Sequence, residues 1–231
     1  MTTIAAKAHP PHHPFTPSPH HPLTTAAIIL AAGQSRRMGR LKMLLPFGDR
    51  PMLARVIESL AVCSAVGPIL VVTGHAAEEI RDAVGEYDAV RWVHNPDHAA
   101  GGMLSSVKAG VAALPEGCPA FFLALGDQPL VRSATLDALA NRWDAESRPI
   151  AIPTYEGRRG HPVLISARFA GEILALGETE TLKTLINRHE DLISESVVDD
   201  PGAVSDVDTP DEYERALALW REMSGPRNGS S

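Results

Sequence analysis

Apolar positions along the chain follow two different rhythms. Residues 26–31 (AAIILA), 69–73 (ILVVT) and 120–125 (AFFLAL) are short unbroken apolar runs, as expected of strands buried on both faces. Between them apolar residues recur every three to four positions. Residues 51–63 place Leu53, Val56, Ile57 and Leu60 on one helical face, behind a proline suited to a first turn. The same rhythm predicts helices over 77–84, 104–114, 133–141 with Ser133 as cap, 167–176, 179–188 and 210–221. Residues 90–94 read as a short strand, 150–153 as a strand end and 192–198 as a late strand. A turn at 156–159 leads into 161–165, which predicts a hairpin. Strand and helix alternate without an internal repeat. That order implies an α/β fold, a mainly parallel three-layer α/β/α sheet with right-handed crossovers. Ligands of such sheets bind beyond the carboxyl ends of the strands.

Composition narrows the classes. A chain of 231 residues suffices for one large domain. Its net charge of −7 argues against a nucleic-acid partner, which would call for a basic stripe. Cys63 and Cys118 form no CxxC pair, which fits a reducing cytoplasm. No apolar run is long enough to span a membrane, and the first residues lack a signal-peptide core. Residues 9–22 hold five of the ten histidines and six of the nineteen prolines. Residues 1–24 are therefore expected to form a disordered tail, with 224–231 a second one and 25–223 the folded domain.

Charge matters most locally. After the first strand the chain reads Leu30-Ala31-Ala32-Gly33-Gln34-Ser35-Arg36-Arg37-Met38-Gly39-Arg40-Leu41-Lys42. The small residues let backbone N–H groups approach a ligand, and Gly33 and Gly39 permit unusual dihedrals. Four cations within seven residues on an acidic chain suit a polyphosphate, although a solvated basic loop has the same composition. The segment is neither a Walker A loop nor a GxGxxG fingerprint. At the end of AFFLAL stands Gly126-Asp127-Gln128-Pro129, where a strand-end carboxylate suits Mg²⁺ or simply opens a turn. Asp206-Val207-Asp208-Thr209-Pro210 precedes the last helix; its aspartates share one side if the segment is extended, and Thr209 or Asp208 also suits a helix cap. Asn95-Pro96, followed by Gly101-Gly102-Met103-Leu104-Ser105-Ser106-Val107, opens a helix with free N–H groups and hydroxyls that suit a polar ligand or simply cap the helix. Thr73-Gly74-His75, after the second strand, is expected to line the same cleft. Gly157-Arg158-Arg159-Gly160-His161-Pro162 forms a basic turn that suits an anionic acceptor or is merely structural.

The first of these segments resembles the LAAGxSxRMGxxK signature of the MobA-like nucleotidyltransferases, and the likeness runs from about Ala26 to Trp220. The resemblance implies a Rossmann-like, GT-A-like nucleotidyltransferase fold. It implies that the loop Leu30, Ala31, Ala32, Gly33 wraps a nucleoside triphosphate, with Lys42 and Arg37 on its phosphates. It makes Asp127 the main Mg²⁺ ligand and assigns a second ligand to the DVDTP segment, where Asp208 is favoured over Asp206. Ser105 and Ser106, with Thr73 and Gly74, are then the base and ribose contacts, and Arg159 and His161 face the acceptor. Within the family, LAAG together with GDQP and GHPV is similar to the cytidylyl branch that acts on molybdenum cofactor. The expected reaction is transfer of CMP from CTP to the phosphate of a molybdopterin-type acceptor, with Mg²⁺ and release of pyrophosphate. A client molybdoenzyme or its chaperone would be a further partner. Another phosphorylated acceptor, such as a sugar or polyol phosphate, or a non-catalytic carrier of the cofactor, would fit the same residues.

Overall fold

The computed structural model describes residues 24–33, 35, 38–146 and 148–224. The expected tails, apart from Thr24 and Ser224, lie outside the described residues, as do Arg36 and Arg37.

The sheet is assembled around β1 (Thr25–Leu30), every residue of which is buried. β4 (Val66–Thr73) lies parallel to it on one side and β6 (Ala120–Leu125) on the other. β5 (Val90–His94) extends the sheet beyond β4 in the same direction. Beyond β6 the order continues through β9 (Val163–Ser166), β7 (Ile150–Tyr155) and β10 (Ile193–Val197). β9 is antiparallel to both of its neighbours, so β7 and β10 again run with β1. The sheet is therefore mainly parallel, as the strand–helix alternation implies, and its reversed strands, β9 and the short β8 (Arg158–Arg159), belong to the predicted hairpin region.

Side-chain alternation along these strands divides the core into two layers. Ala27, Ile29, Val71 and Phe122 point to one face, where they meet α1 (Met52–Ala61), α2 (Ala77–Val84) and α4 (Ser133–Glu146). Ala26, Ile28, Val72 and Phe121 point to the other, against α3 (Gly102–Ala112), α5 (Ala170–Ala175) and α6 (Leu182–Arg188). α4 starts at Ser133 itself and runs past Asn141, further than its apolar spacing indicates. A third, smaller core gathers Met38, Phe47, Leu130 and Val207 under α7 (Pro210–Ser224). Phe47 belongs to a two-residue hairpin, β2 (Pro46–Phe47) with β3 (Arg50–Pro51).

The expected hairpin at 150–165 has a broken second arm. β7 pairs at its start with β9 and at its end with β8 (Arg158–Arg159), across a turn at Glu156–Gly157 with positive φ at both residues. Between those arms the Gly160 N–H still donates to the Pro153 carbonyl of β7 at 2.9 Å, and His161 then leaves the sheet, its N–H donating to the Ala203 carbonyl at 2.8 Å. The chain from Asp200 to Asp208 lies alongside. The buried Asp200 carboxylate accepts from the Arg132 N–H at 2.9 Å, the Thr135 hydroxyl at 2.6 Å and the Gly202 N–H at 3.0 Å. Gly202 lies so close to the Leu130 backbone that a Cβ would fall 2.4 Å from its carbonyl, and a Cβ on Gly160 would fall 2.1 Å from the Ala203 oxygen. This passage has no room for a methyl group on either side.

Gly202→Ala and Gly160→Ala are each expected to destabilise the fold by about 1–3 kcal/mol, the usual cost of overpacking. For a domain of this size that is a melting temperature several degrees lower, by roughly 2–4 °C per kcal/mol. Thermal denaturation followed by circular dichroism checks it, and wild-type melting in both variants would show that the passage is looser than described.

Candidate active site

The carboxyl ends of β1, β4, β5 and β6 open on one edge of the sheet, and every segment singled out by sequence except the 157–162 turn follows one of these strands or α7's approach. The loop after β1 keeps its pairing with β4 for one more residue, the Ala31 N–H donating to the Val72 carbonyl at 2.8 Å. Ala31 and Ala32 are buried and Gly33 is exposed. Gly39 uses its freedom with φ +66°, whereas Gly33 does not, and Ser35 instead takes φ +52°. The Ser35 hydroxyl then accepts the Lys42 N–H at 3.1 Å, which closes the loop onto a single turn of 3₁₀ helix, Lys42–Leu44. Arg40 is exposed.

β6 delivers Asp127. The Gly126 N–H donates to the Leu30 carbonyl at 3.0 Å, which sets this motif directly beside the first. The Asp127 carbonyl accepts the Val207 N–H at 3.0 Å, which sets it beside the third. Val207 is buried in the third core, so its neighbours Asp206 and Asp208 both face away from that core. Thr209 caps α7: its hydroxyl accepts the Glu212 N–H at 3.3 Å while the Glu212 carboxylate takes the N–H groups of Asp208 and Thr209, both at 2.9 Å. This is a capping box, and it leaves the Asp208 side chain available for the site.

Lys42, Asp127 and Asp208 converge. The Lys42 ammonium donates to Asp127 Oδ2 and, at 2.8 Å, to Asp208 Oδ1. Burial by itself would lower the Lys42 pKa, but the two carboxylates outweigh it and hold the ammonium above its ordinary range. Asp206 stands next to this pair, and the Gln128 Nε2 donates to its Oδ1 at 2.7 Å. Gln128 is buried, and its Oε1 has no hydrogen-bond partner among the described residues. Asp127 also feels the charge of Asp206 and Asp208, so three carboxylates stand close together beside the Lys42 ammonium. Burial also lowers the His161 pKa below its ordinary 6.5, against the opposing pull of Asp206 and Asp127. His161 is therefore neutral at pH 7 and close enough to both aspartates to sense their charge.

The oxygen-only, electron-rich character of this cluster suits a hard divalent cation, and Lys42 marks the place where positive charge is wanted. Mg²⁺ typically takes one or two protein carboxylates, so Asp127 and Asp208 suffice. No group of three or more His, Cys, Asp or Glu side chains shaped for a metal occurs among the described residues.

Not every expected residue joins the cluster. Arg159 turns to Glu190 and Glu195, donating from Nη1 to Glu190 at 3.0 Å and from Nε to Glu195 at 2.7 Å, so its guanidinium is held on the β10 side of its turn. Ser105 and Ser106 are both bound to one side chain: Asn95 Nδ2 donates to their hydroxyls at 2.8 and 3.0 Å, and Ser106 is buried. The Thr73 hydroxyl contacts the Val93 carbonyl at 3.4 Å, and Gly74 packs against His98. Asn95 opens the motif that ends in these serines, but it was not among the candidate contacts and proves to be the organising residue. Its backbone N–H reaches the Thr73 carbonyl at 2.7 Å and its Oδ1 accepts the Asp97 N–H at 3.0 Å, so one buried residue ties the ends of β4 and β5 to the start of α3. Its position just after a strand and before Pro96 was the available signal. Gln128 stood inside the GDQP segment and was likewise passed over. No helix among the described residues is long and apolar enough to cross a membrane.

Comparisons with known proteins place the chain in a family. The chain is 31% identical over 198 residues to the molybdenum cofactor cytidylyltransferase of Escherichia coli K12, covering 85% of this chain and 97% of that protein. A Mycobacterium sp. strain JC1 homologue of Mycobacterium tuberculosis Rv0371c superposes with a TM-score of 0.73 at 27% identity, covering 87% of this chain and 98% of that one. The Mycobacterium tuberculosis H37Rv protein Rv0371c, solved in complex with manganese, gives 0.68 at 27% identity over 85% of this chain and 98% of its own. The profile described as the MobA-like NTP transferase domain matches residues 27–192, and the chain belongs to that nucleotidyltransferase family.

Proposed function

We propose that the chain transfers CMP from CTP to the phosphate of a molybdopterin-type acceptor and releases pyrophosphate. The observation that carries this reading is the meeting of Asp127 and Asp208, far apart in sequence, on the Lys42 ammonium. In the proposed mechanism the acceptor phosphate is anionic at neutral pH, so no residue has to remove a proton. Asp127 and Asp208 would hold Mg²⁺, which when bound draws charge from the α-phosphate. Lys42 and Arg37 neutralise the charge that develops towards pyrophosphate as the bond between the α-phosphorus and the bridging oxygen breaks. Gln128 fixes the Asp206 carboxylate beside the pair. His161, uncharged, offers the acceptor a hydrogen bond without adding a cation. The buried Ala31 and Ala32 present backbone groups to the base from a wall that a purine would crowd. The 31% identical cytidylyltransferase, matched over nearly its whole length, supports the choice of CTP and of this acceptor.

Asp127→Ala is expected to retain the fold and lose nearly all turnover, and Asp208→Ala to lose less. Pyrophosphate release at graded Mg²⁺ concentrations measures both, and wild-type rates in Asp127→Ala would remove it from the reaction.

The lowered His161 pKa has a defined sign. Below pH 6.5 the unfolded chain takes up the proton before the folded one, so stability falls as pH drops through 6.5 and stops falling at the folded pKa. Wild type should therefore lose more melting temperature between about pH 7.5 and about pH 5.5 than His161→Asn does. Equal losses would mean that His161 titrates as it would in the unfolded chain.

CTP should be preferred to GTP with the same Mo-molybdopterin acceptor, as product mass and kcat/KM for each nucleotide would show. A base whose edge leaves a buried backbone group unpaired costs about 1–3 kcal/mol, or roughly ten- to a hundredfold in specificity. Ala32→Gly should shift the ratio towards GTP. Preference for GTP in wild type overturns the cytidylyl assignment. Equal turnover with a sugar phosphate overturns the acceptor.

A further inference from the structure

We infer that Lys42 and the catalytic divalent cation exclude one another from the Asp127–Asp208 pair, so that the nucleotide-free enzyme holds its own lysine in the metal position and admits the ion only together with a triphosphate. The inference rests on the reading above, in which these two carboxylates hold the ion. Lys42 Nζ lies in hydrogen-bonding contact with one oxygen of each carboxylate. An ion held by the same two carboxylates would compete for the space between them that the ammonium fills. Two cations cannot share that space, because the repulsion between them acts at the shortest distance in a partly buried site.

The lysine is the part that can move. Asp127 is held by the Val207 N–H on its carbonyl, and Asp208 by the Glu212 carboxylate on its N–H. The Lys42 backbone is fixed too, through the Ser35 hydroxyl at 3.1 Å and the Leu45 N–H on its carbonyl at 3.1 Å. Its four-carbon stem is not, and rotation about that stem carries the ammonium away while the loop stays in place. What it lacks without nucleotide is another anion. Asp127, Asp206 and Asp208 are the carboxylates at hand, and leaving them strands a charged amine in a half-closed site. The triphosphate supplies the alternative partner on the loop side, where Arg40 and Lys42 follow the bend at Gly39. Lys42 then serves in two places: as counter-ion of the carboxylates before the substrate binds, and as counter-ion of the phosphates afterwards. The metal fills the place it leaves.

Mn²⁺ binding to the nucleotide-free protein, followed by the electron paramagnetic resonance of free Mn²⁺, tests this without turnover. Lys42→Met should bind Mn²⁺ about tenfold or more tightly than wild type, a coupling of ordinary size, and Lys42→Arg should stay weak. The gain should vanish in Lys42→Met/Asp208→Asn, which locates the ion. Should Lys42→Met melt too low to titrate, wild type alone decides. Tight, stoichiometric, Asp208-dependent Mn²⁺ binding without nucleotide overturns the exclusion, and weak binding that becomes Asp208-dependent on adding a non-transferable CTP analogue supports it. Equal Mn²⁺ affinity in wild type and Lys42→Met, lost in Asp208→Asn, also overturns it while leaving the transferase reading intact. Indifference to Asp208→Asn even with the CTP analogue overturns the metal assignment itself.

Discussion

The contact between the Lys42 ammonium and the Asp127 and Asp208 carboxylates depends on, and is the outcome of, three separate pieces of chain being brought to one edge of the sheet. Lys42 arrives from the loop after β1, Asp127 from the end of β6, and Asp208 from the approach to α7. Two backbone hydrogen bonds fasten the three together: Gly126 N–H to the Leu30 carbonyl and Val207 N–H to the Asp127 carbonyl. Partly buried ion pairs of this kind are poor sources of net stability, since removing one partner strands the other at a cost of about 3–5 kcal/mol. Such an arrangement makes sense where the charge itself is used, which is the position of an active site rather than of a core.

The rest of the cleft is built by hydrogen bonds rather than ion pairs. Asn95 spends every polar atom on holding β4, β5 and α3 in register, and Asp200 spends its carboxylate on N–H and hydroxyl donors with no cation at all. A buried carboxylate satisfied this way keeps its position whatever ions come and go nearby. The passage from Asp200 to Asp208 therefore acts as a rigid rail, and the charged cluster at its end is the adjustable part.

Much of this was legible in the sequence because the core strands carry a strong signal. AAIILA and AFFLAL cannot be anything but interior, and their partners alternate with amphipathic helices at a spacing that leaves little choice of fold class. The reversal of β9 was legible in the hairpin that the 156–159 turn predicts, but its insertion between β7 and β6 was not, since an apolar run does not name its neighbours. The β2–β3 hairpin has only two residues per arm and two prolines, too short for any periodicity. Among the site residues, Lys42, Asp127 and Asp208 were found from their motifs, but nothing in the motifs said that the lysine would meet the carboxylates. Arg159 shows the limit from the other side. Its charge suggested an anionic ligand, and only the folded chain reveals that Glu190 and Glu195, distant in sequence, supply that anion.

The third core gives the site a history in time. α7 lays Trp220 edge-on against Phe47, 5.8 Å between ring centroids, and beneath the Arg55 guanidinium, while its first turn grips Asp208 through Glu212. All ten strands among the described residues precede Asp208 in the order of synthesis. A ribosome thus completes the material for the sheet while Lys42 and Asp127 still lack their third member and the helix that seats it. The nascent chain can be a formed sheet before the cluster at its edge is assembled.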